Sequence, residues 1–194
     1  IGNALAVEEA VLTLRGEGPA DVRELTLALC GEMLRLAGVA ADAAEARRMA
    51  SAALDDGRAL DRMQQIVEAQ GGNPAVLDDP AVLPQAPVRR VFEAGRAGYL
   101  VAVDTRAVGR AAVALGAGRT TLDAAIDPAV GFHITAKPGI RVEAGEPLGT
   151  VYARDVAGAE AALAMLAAAY RIEDEPGPAP LPLISHRVSA DGVE

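Results

Sequence analysis

The chain has 194 residues, 51% of them hydrophobic and 3% aromatic, with a formal net charge of -9. That composition provides for a sizeable core and excludes a disordered chain, and the negative balance argues against a nucleic-acid partner. No apolar run reaches the roughly 18 residues a membrane span needs; the most apolar stretch, Ala157 to Tyr170, is broken by Glu160.

The first seventy residues read as helices. Asn3 is a candidate cap for a segment carrying Leu5, Val7, Val11, Leu12 and Leu14, which Gly16-Glu17-Gly18-Pro19 ends. Asp21 is the next candidate cap, and Val22, Leu25, Leu29 and Leu36 mark one face of a longer helix stopped by Gly38. Asp42 and Glu45 have capping-box spacing before a helix with Ala46, Met49, Ala53 and Leu54. Leu60, Met63, Ile66 and Val67 make a fourth helix, ended by Gly71-Gly72.

Three regions are expected: helices over 1–72, a proline-punctuated crossing over 73–87, and a β-rich α/β part over 88–194. In the last part Val88 to Phe92, Tyr99 to Val103, Phe132 to Thr135 and Leu148 to Tyr152 read as strands. Thr105 to Leu115 reads as a helix, and Asp155 caps another that runs through Tyr170. Leu181 to Val188, after a run of prolines, reads as an edge strand.

The chemistry-bearing residues are few. His133 falls in a strand and His186 in the proline-rich tail, and both read as structural or solvated. There is no Gly-x-Ser-x-Gly, no Cys-x-x-Cys and no His-x-x-x-His, so a serine nucleophile and a zinc site are not expected. Cys30, the one cysteine, forms no internal disulfide and fits a cytoplasmic chain, with no signal peptide at its start. The acidic pairs Glu8-Glu9, Asp55-Asp56 and Asp78-Asp79 read as solvated helix ends and loops.

Two glycine-rich elements say more. Leu115-Gly116-Ala117-Gly118-Arg119-Thr120 could aim amides and a guanidinium at an anion, or simply make a tight connection from a helix to a strand. Lys137 to Leu148 has a Gly-x-x-Val-x-x-Gly-x-x-Leu rhythm, with a short strand between two glycine turns. It is shared by flattened carrier barrels of the biotinyl and lipoyl type. Those carriers need a lysine at a hairpin tip, and Lys137, the sole lysine, precedes Pro138 on the wrong side of the rhythm.

Taken in order, a set of segments resembles the C-terminal portion of the pyrimidine-nucleoside phosphorylases, the family that includes thymidine phosphorylase. The segments are Gly2-Asn3-Ala4-Leu5, Leu14 to Pro19 with Asp21, Ala69 to Pro74 and Leu83 to Ala86. They continue with Leu115 to Arg119, Ile126-Asp127 with Val130-Gly131, and Pro180-Leu181 with Leu183-Ile184. One departure is Ala6, where the family commonly has Glu.

The resemblance implies a mixed α/β fold. The helices would belong to the large α/β, phosphate-binding lobe, joined to a β-rich subdomain of hammerhead or barrel-sandwich type. It implies phosphate and a pyrimidine nucleoside as ligands, no organic cofactor, and a homodimer paired mainly through a small helical lobe. The family's base-binding Arg, Ser and Lys and its Lys-His-Ser-Thr-Gly-Gly phosphate loop have no counterpart here. The resemblance therefore implies a little under half of an enzyme, inactive alone, and the start at Ile1 fits a piece of a longer polypeptide. A processed terminus is the alternative.

It also implies a K⁺ site, to which Leu34, Ala37 and Glu45 would contribute helix-end carbonyls and a carboxylate. The other ligands belong to the phosphate loop, so weak or absent K⁺ binding is expected here. A capping role with Asp42 is the other reading of Glu45. The rival to the enzyme reading is a noncatalytic binding or scaffold module that reuses this half of the fold.

Overall fold

The computed structural model describes residues 1–189 and 192–193. The chain falls into two units, Ile1–Val7 with Leu83–Pro180, and Glu8–Val82 with Leu181–Glu194. This differs from the expected division at 73–87. The crossing folds into two 3-10 turns, Pro74–Leu77 and Pro80–Val82, that belong with the helices. The first residues count with the β-rich unit because Ile1 pairs its backbone with Phe132 in both directions. The end of the chain counts with the helices, where Arg187 pairs with Glu32.

In the β-rich unit, β1 (Val88–Glu93), β5 (Pro147–Ala153) and β3 (Gly131–Ile134) form an antiparallel sheet in the order β1-β5-β3. Phe92 stands opposite Gly149, and Phe132 opposite Val151. A second antiparallel sheet has the order β4-β2-β6, from β4 (Arg141–Val142), β2 (Gly98–Val103) and β6 (Tyr170–Glu173). Two helices complete the unit, α5 (Thr105–Leu115) and α6 (Val156–Ala169), capped by Asp104 and Asp155. Here α5 and α6 are numbered after the four helices of the other unit.

The alternation along the strands turns Phe92, Leu100, Phe132, Leu148 and Val151 inward, all fully or almost fully buried. The α6 residues Ala159, Ala162, Leu166 and Ala169 recur at helical spacing and are buried in the same core. Alanines on α5 and α6 make up most of the helices' share of this core, with Val108 and Leu166 as its larger members. Phe92 meets the Tyr170 ring edge-on at 4.9 Å, and burial pushes the Tyr170 hydroxyl up from its ordinary pKa.

The helical unit contains most of α1 (Asn3–Leu14), then α2 (Ala20–Leu36), α3 (Ala43–Asp55) and α4 (Arg58–Ala69). A short hairpin, β7 (Val188–Ser189) with β8 (Gly192–Val193), ends it. Its clearest core is small: Leu27, Ala50 and Leu54, with Leu14, Cys30, Leu34 and Ala59 half-buried around them. The helix α4 contributes no fully buried residue.

Several expectations change. Leu25, Leu29 and Leu36 were expected to face a core, but all three are exposed, and α2 turns Leu27 and Gly31 inward instead. Gly31 lies against Ala46 of α3, so the α2–α3 contact is made on the small-residue side of α2. Asn3 sits inside the first turn of α1 rather than capping it. Asp21 likewise lies in the first turn of α2, behind Pro19 at the cap position. Residues 181–187 form no strand, and pairing starts at Val188. Two strands were not anticipated: β6 continues directly from α6, and β8 closes the terminal hairpin. Among the described residues no helix is long and apolar enough to cross a membrane.

Candidate functional site

Five of the seven segments that carried the family resemblance meet at two junctions, one in each unit. In the β-rich unit, the amide of Ala4 donates to the Pro128 carbonyl at 2.9 Å, and the Asn3 side chain donates to the Ala117 carbonyl at 3.2 Å. The amide of Asp127 donates to the Gly116 carbonyl at 2.9 Å. Gly2-Asn3-Ala4, the Gly116-Ala117-Gly118 turn and Asp127 to Gly131 are thus tied into one knot.

Glycine is required at its centre. Gly131 has φ +152, and a Cβ there would stand 2.1 Å from the Ile1 carbonyl oxygen. Gly2 has φ +130, and its Cβ would stand 2.6 Å from the Val130 carbonyl oxygen. Two backbones pass here at a distance that admits no side chain on either. Asp127 anchors the knot from outside. It accepts from the Ala129 amide at 3.0 Å and from Nη2 of Arg154 at 2.7 Å, with the Arg154 Nε as a second donor. The guanidinium, helped by that amide, holds the Asp127 carboxyl below the usual carboxylate range. Arg154 escaped the sequence reading because it lies outside any motif; only a basic residue just before the Asp155 cap pointed to it.

In the helical unit, the Arg15 guanidinium donates to the Leu77 carbonyl. Asn73 accepts the Ala75 amide at 3.0 Å and so caps the turn that presents Leu77. Leu14 to Pro19 is thereby joined to Asn73-Pro74. Gly18 packs against Thr13, where a Cβ would stand 2.3 Å from the Thr13 hydroxyl oxygen. Both junctions are built on backbone carbonyls, small residues and arginines, with the Asn3 and Asn73 side chains and, in the β-rich unit, the Asp127 carboxylate held by Arg154.

The other candidates stay apart. His133 and His186 are both exposed. The Gly116 turn is spent on Asp127 and Asn3, and Arg119 lies exposed beyond it. Cys30 is half-buried and lines an apolar cavity of about 740 Å³ between α2 and α3. Lys137 is exposed in the connection between β3 and β4, and Ala6 is exposed on α1. No group of three or more His, Cys, Asp or Glu side chains that could hold a metal occurs among the described residues.

The expected K⁺ ligands lie at the end of α2 and the start of α3. The Leu34 carbonyl accepts from the amides of Val39 at 3.0 Å and Ala40 at 3.3 Å, closing the helix over Gly38 at φ +68. Ala37 is the C-cap of α2. Glu45 accepts the Ala41 amide at 2.8 Å and donates its own amide to Asp42 at 2.8 Å. The Leu34 carbonyl and one Glu45 oxygen thus accept hydrogen bonds within the α2–α3 connection.

Known proteins match much of this chain. Residues 99–173 match the model of the pyrimidine nucleoside phosphorylase C-terminal domain. The pyrimidine-nucleoside phosphorylase of Geobacillus stearothermophilus is 47% identical over 152 residues, 78% of this chain and 35% of that protein. That of Bacillus subtilis is 44% identical over 153 residues, 79% of this chain and 35% of that protein. The thymidine phosphorylase of Burkholderia cenocepacia is 44% identical over 189 residues, 96% of this chain and 43% of that protein. The chain spans less than half the length of these relatives. The chain is similar to the C-terminal portion of the pyrimidine-nucleoside phosphorylases and thymidine phosphorylases.

Proposed function

We propose that this chain serves phosphate-dependent cleavage of thymidine- or uridine-type nucleosides to the free base and a pentose 1-phosphate, as one part of that enzyme. The observation that carries this reading is the likeness to a thymidine phosphorylase along 96% of the chain. The reaction needs a phosphate dianion held in line with the anomeric carbon, and a cationic or hydrogen-bonding partner for the leaving pyrimidine. In this reading the rest of the longer enzyme supplies both, and the two junctions have a framework role, holding the chain paths on which a complete site would be built.

The chain by itself is accordingly inactive in this reading. K⁺ and homodimerisation belong to the same proposal for the longer enzyme, with weak K⁺ binding at most by Leu34, Ala37 and Glu45. The second reading, a noncatalytic binding or scaffold module, is favoured by one feature, the closed core of the β-rich unit. The test is a phosphorolysis assay on the purified chain, measuring release of thymine and uracil with and without phosphate. No turnover is expected. Phosphate-dependent turnover by the 194-residue chain alone overturns the inactive reading.

A further inference from the structure

The longest stretch of the chain without Asp or Glu runs from Thr105 to Leu122, through α5 and the glycine turn that follows it. It carries Arg106, Arg110 and Arg119, all three exposed. Elsewhere arginines meet acids: Arg23, Arg47, Arg96 and Arg154 each pair with a carboxylate. Among the described residues, none of the three arginines of this stretch has an ion pair or a side-chain hydrogen bond. Arg106 and Arg110 stand four residues apart on α5, and Val113 continues the same face by one more turn. The buried residues Val108, Ala111 and Ala112 lie on the opposite side. Gly118 turns back onto Val113, where a Cβ would stand 2.8 Å from a Val113 methyl. The chain thus returns to the arginine face just before Arg119.

The turn adds neutral donors. Gly116 and Ala117 spend their amides on the Val113 and Ala112 carbonyls of α5. The amides of Gly118, Arg119, Thr120 and Thr121 have no protein acceptor among the described residues, and Thr120 and Thr121 are exposed beside them. Guanidinium groups and amide N–H groups only donate, so this surface is complementary to a multiply charged oxyanion. By the helix rise the arginine face extends about 10 Å, which a chain of linked phosphates can follow and a single phosphate cannot. Water screens an exposed guanidinium, so one phosphate alone is held weakly and the fitting ligand is multivalent. It is also short, because a chain with a net charge of -9 repels a long polyanion. Asp123, the next acid along the loop, marks the end of the stretch.

We propose that Arg106, Arg110 and Arg119, with the Gly118 to Thr121 amides, form a binding site for an oligophosphate. That chemistry is shared by inorganic tripolyphosphate and by the phosphate tail of a nucleoside triphosphate. Arg106 and Arg110 hold successive phosphates from the helix, and Arg119 with the turn takes the terminal one. The site binds and carries out no bond change. It does not rest on the reading of the chain as part of a phosphorylase, since every group in it lies on α5 and the turn that follows.

Isothermal titration calorimetry on the whole chain tests the site, with orthophosphate, tripolyphosphate and adenosine triphosphate as titrants in Mg²⁺-free buffer. Tripolyphosphate should bind at least about tenfold tighter than orthophosphate. Raising the salt from about 50 to about 200 mM should weaken it several-fold, as screening of exposed charges requires. Arg106→Ala with Arg110→Ala should weaken tripolyphosphate binding at least about tenfold, and Arg119→Ala by about threefold. All three side chains are exposed, so the variants should keep the wild-type circular dichroism spectrum. Arg62→Ala, which removes an exposed arginine from α4, is the control expected to bind normally. Equal binding of tripolyphosphate and adenosine triphosphate supports a site that reads phosphates alone. Tighter binding of the nucleotide supports the site and assigns the nucleotide as its ligand, and binding of tripolyphosphate only assigns the inorganic chain. Three outcomes overturn the proposal: tripolyphosphate bound no tighter than orthophosphate, binding unchanged in the arginine variants of this stretch, or an equal loss in Arg62→Ala.

Discussion

Both units are alanine-rich, but all five aromatic residues fall in the β-rich one, and the two use their apolar residues in opposite ways. The β-rich unit closes on itself: Phe132, Leu100, Leu148, Leu166 and Val151 are sealed between two small sheets and two helices. The helical unit buries Leu27, Ala50 and Leu54 and leaves Leu29, Met33, Leu36 and Ile66 in solvent. Strands that alternate, folded into two sheets, enclose an interior from both sides. A single layer of helices has only one side to offer. The difference teaches that an apolar stripe states a need for burial without saying which polypeptide meets it.

The largest effect that sharpens this contrast lies at Phe132, on the strand that Ile1 joins. Phe132→Ala should cost about 3–5 kcal/mol, as such truncations do in closed cores. Chemical denaturation would read it, and a loss below about 1 kcal/mol would mean the core is not closed. Gly131→Ala tests the neighbouring knot, where the new methyl would meet the Ile1 carbonyl at a φ of +152. A loss of roughly 2–3 kcal/mol is expected. It should appear in the β-rich unit's transition, while helical signal from the other unit is retained.

Most of the β-rich unit was legible in the sequence, because short alternating runs bounded by Gly, Pro and Asp admit few other structures. Thr105 to Leu115 is helical as read, and the Asp155 cap is in place. The helical unit was less legible in its burial than in its elements. The α2 leucines showed the right period and the wrong side, since helix periodicity does not distinguish a buried face from one that awaits a partner. Asn3 and Asp21 fit cap chemistry, yet Asn3 bonds the distant Ala117 carbonyl and Asp21 sits within the first turn. Strand β6 was hidden because α6 passes into it at Tyr170 without a turn residue. At the candidate site, the glycine and Asp127 segments were recognisable, but their meeting depends on long-range pairing that spacing along the chain does not express.

A smaller effect separates charge from packing at the knot. Asp127 has its pKa depressed by Arg154. A depressed carboxylate stabilises the fold above its unfolded pKa, and that contribution is lost as the pH falls through the folded value. Arg154→Ala should therefore lower stability near neutral pH by at most about 1 kcal/mol, since the pair is partly solvated. The gap to wild type should close as the pH is taken below the ordinary aspartate range. A gap that stays constant across that titration would assign the loss to packing of the Arg154 stem rather than to the ion pair.

The smallest expected effect is the one that breaks the comparison most directly. Leu36 is the last residue of α2 and 86% exposed. In a closed core a leucine truncation costs about 2–5 kcal/mol. Here Leu36→Ser removes almost no buried area, so the stability of the isolated chain should move by no more than about 0.5 kcal/mol. Thermal unfolding with a dye that binds exposed apolar surface reads both sides of the claim: the midpoint should stay, and the dye signal of the folded chain should fall. A destabilisation of about 2 kcal/mol, the size seen in closed cores, would mean that this face already packs within the chain. The helical unit would then be as closed as the β-rich one, and the apolar stripe would need no outside layer.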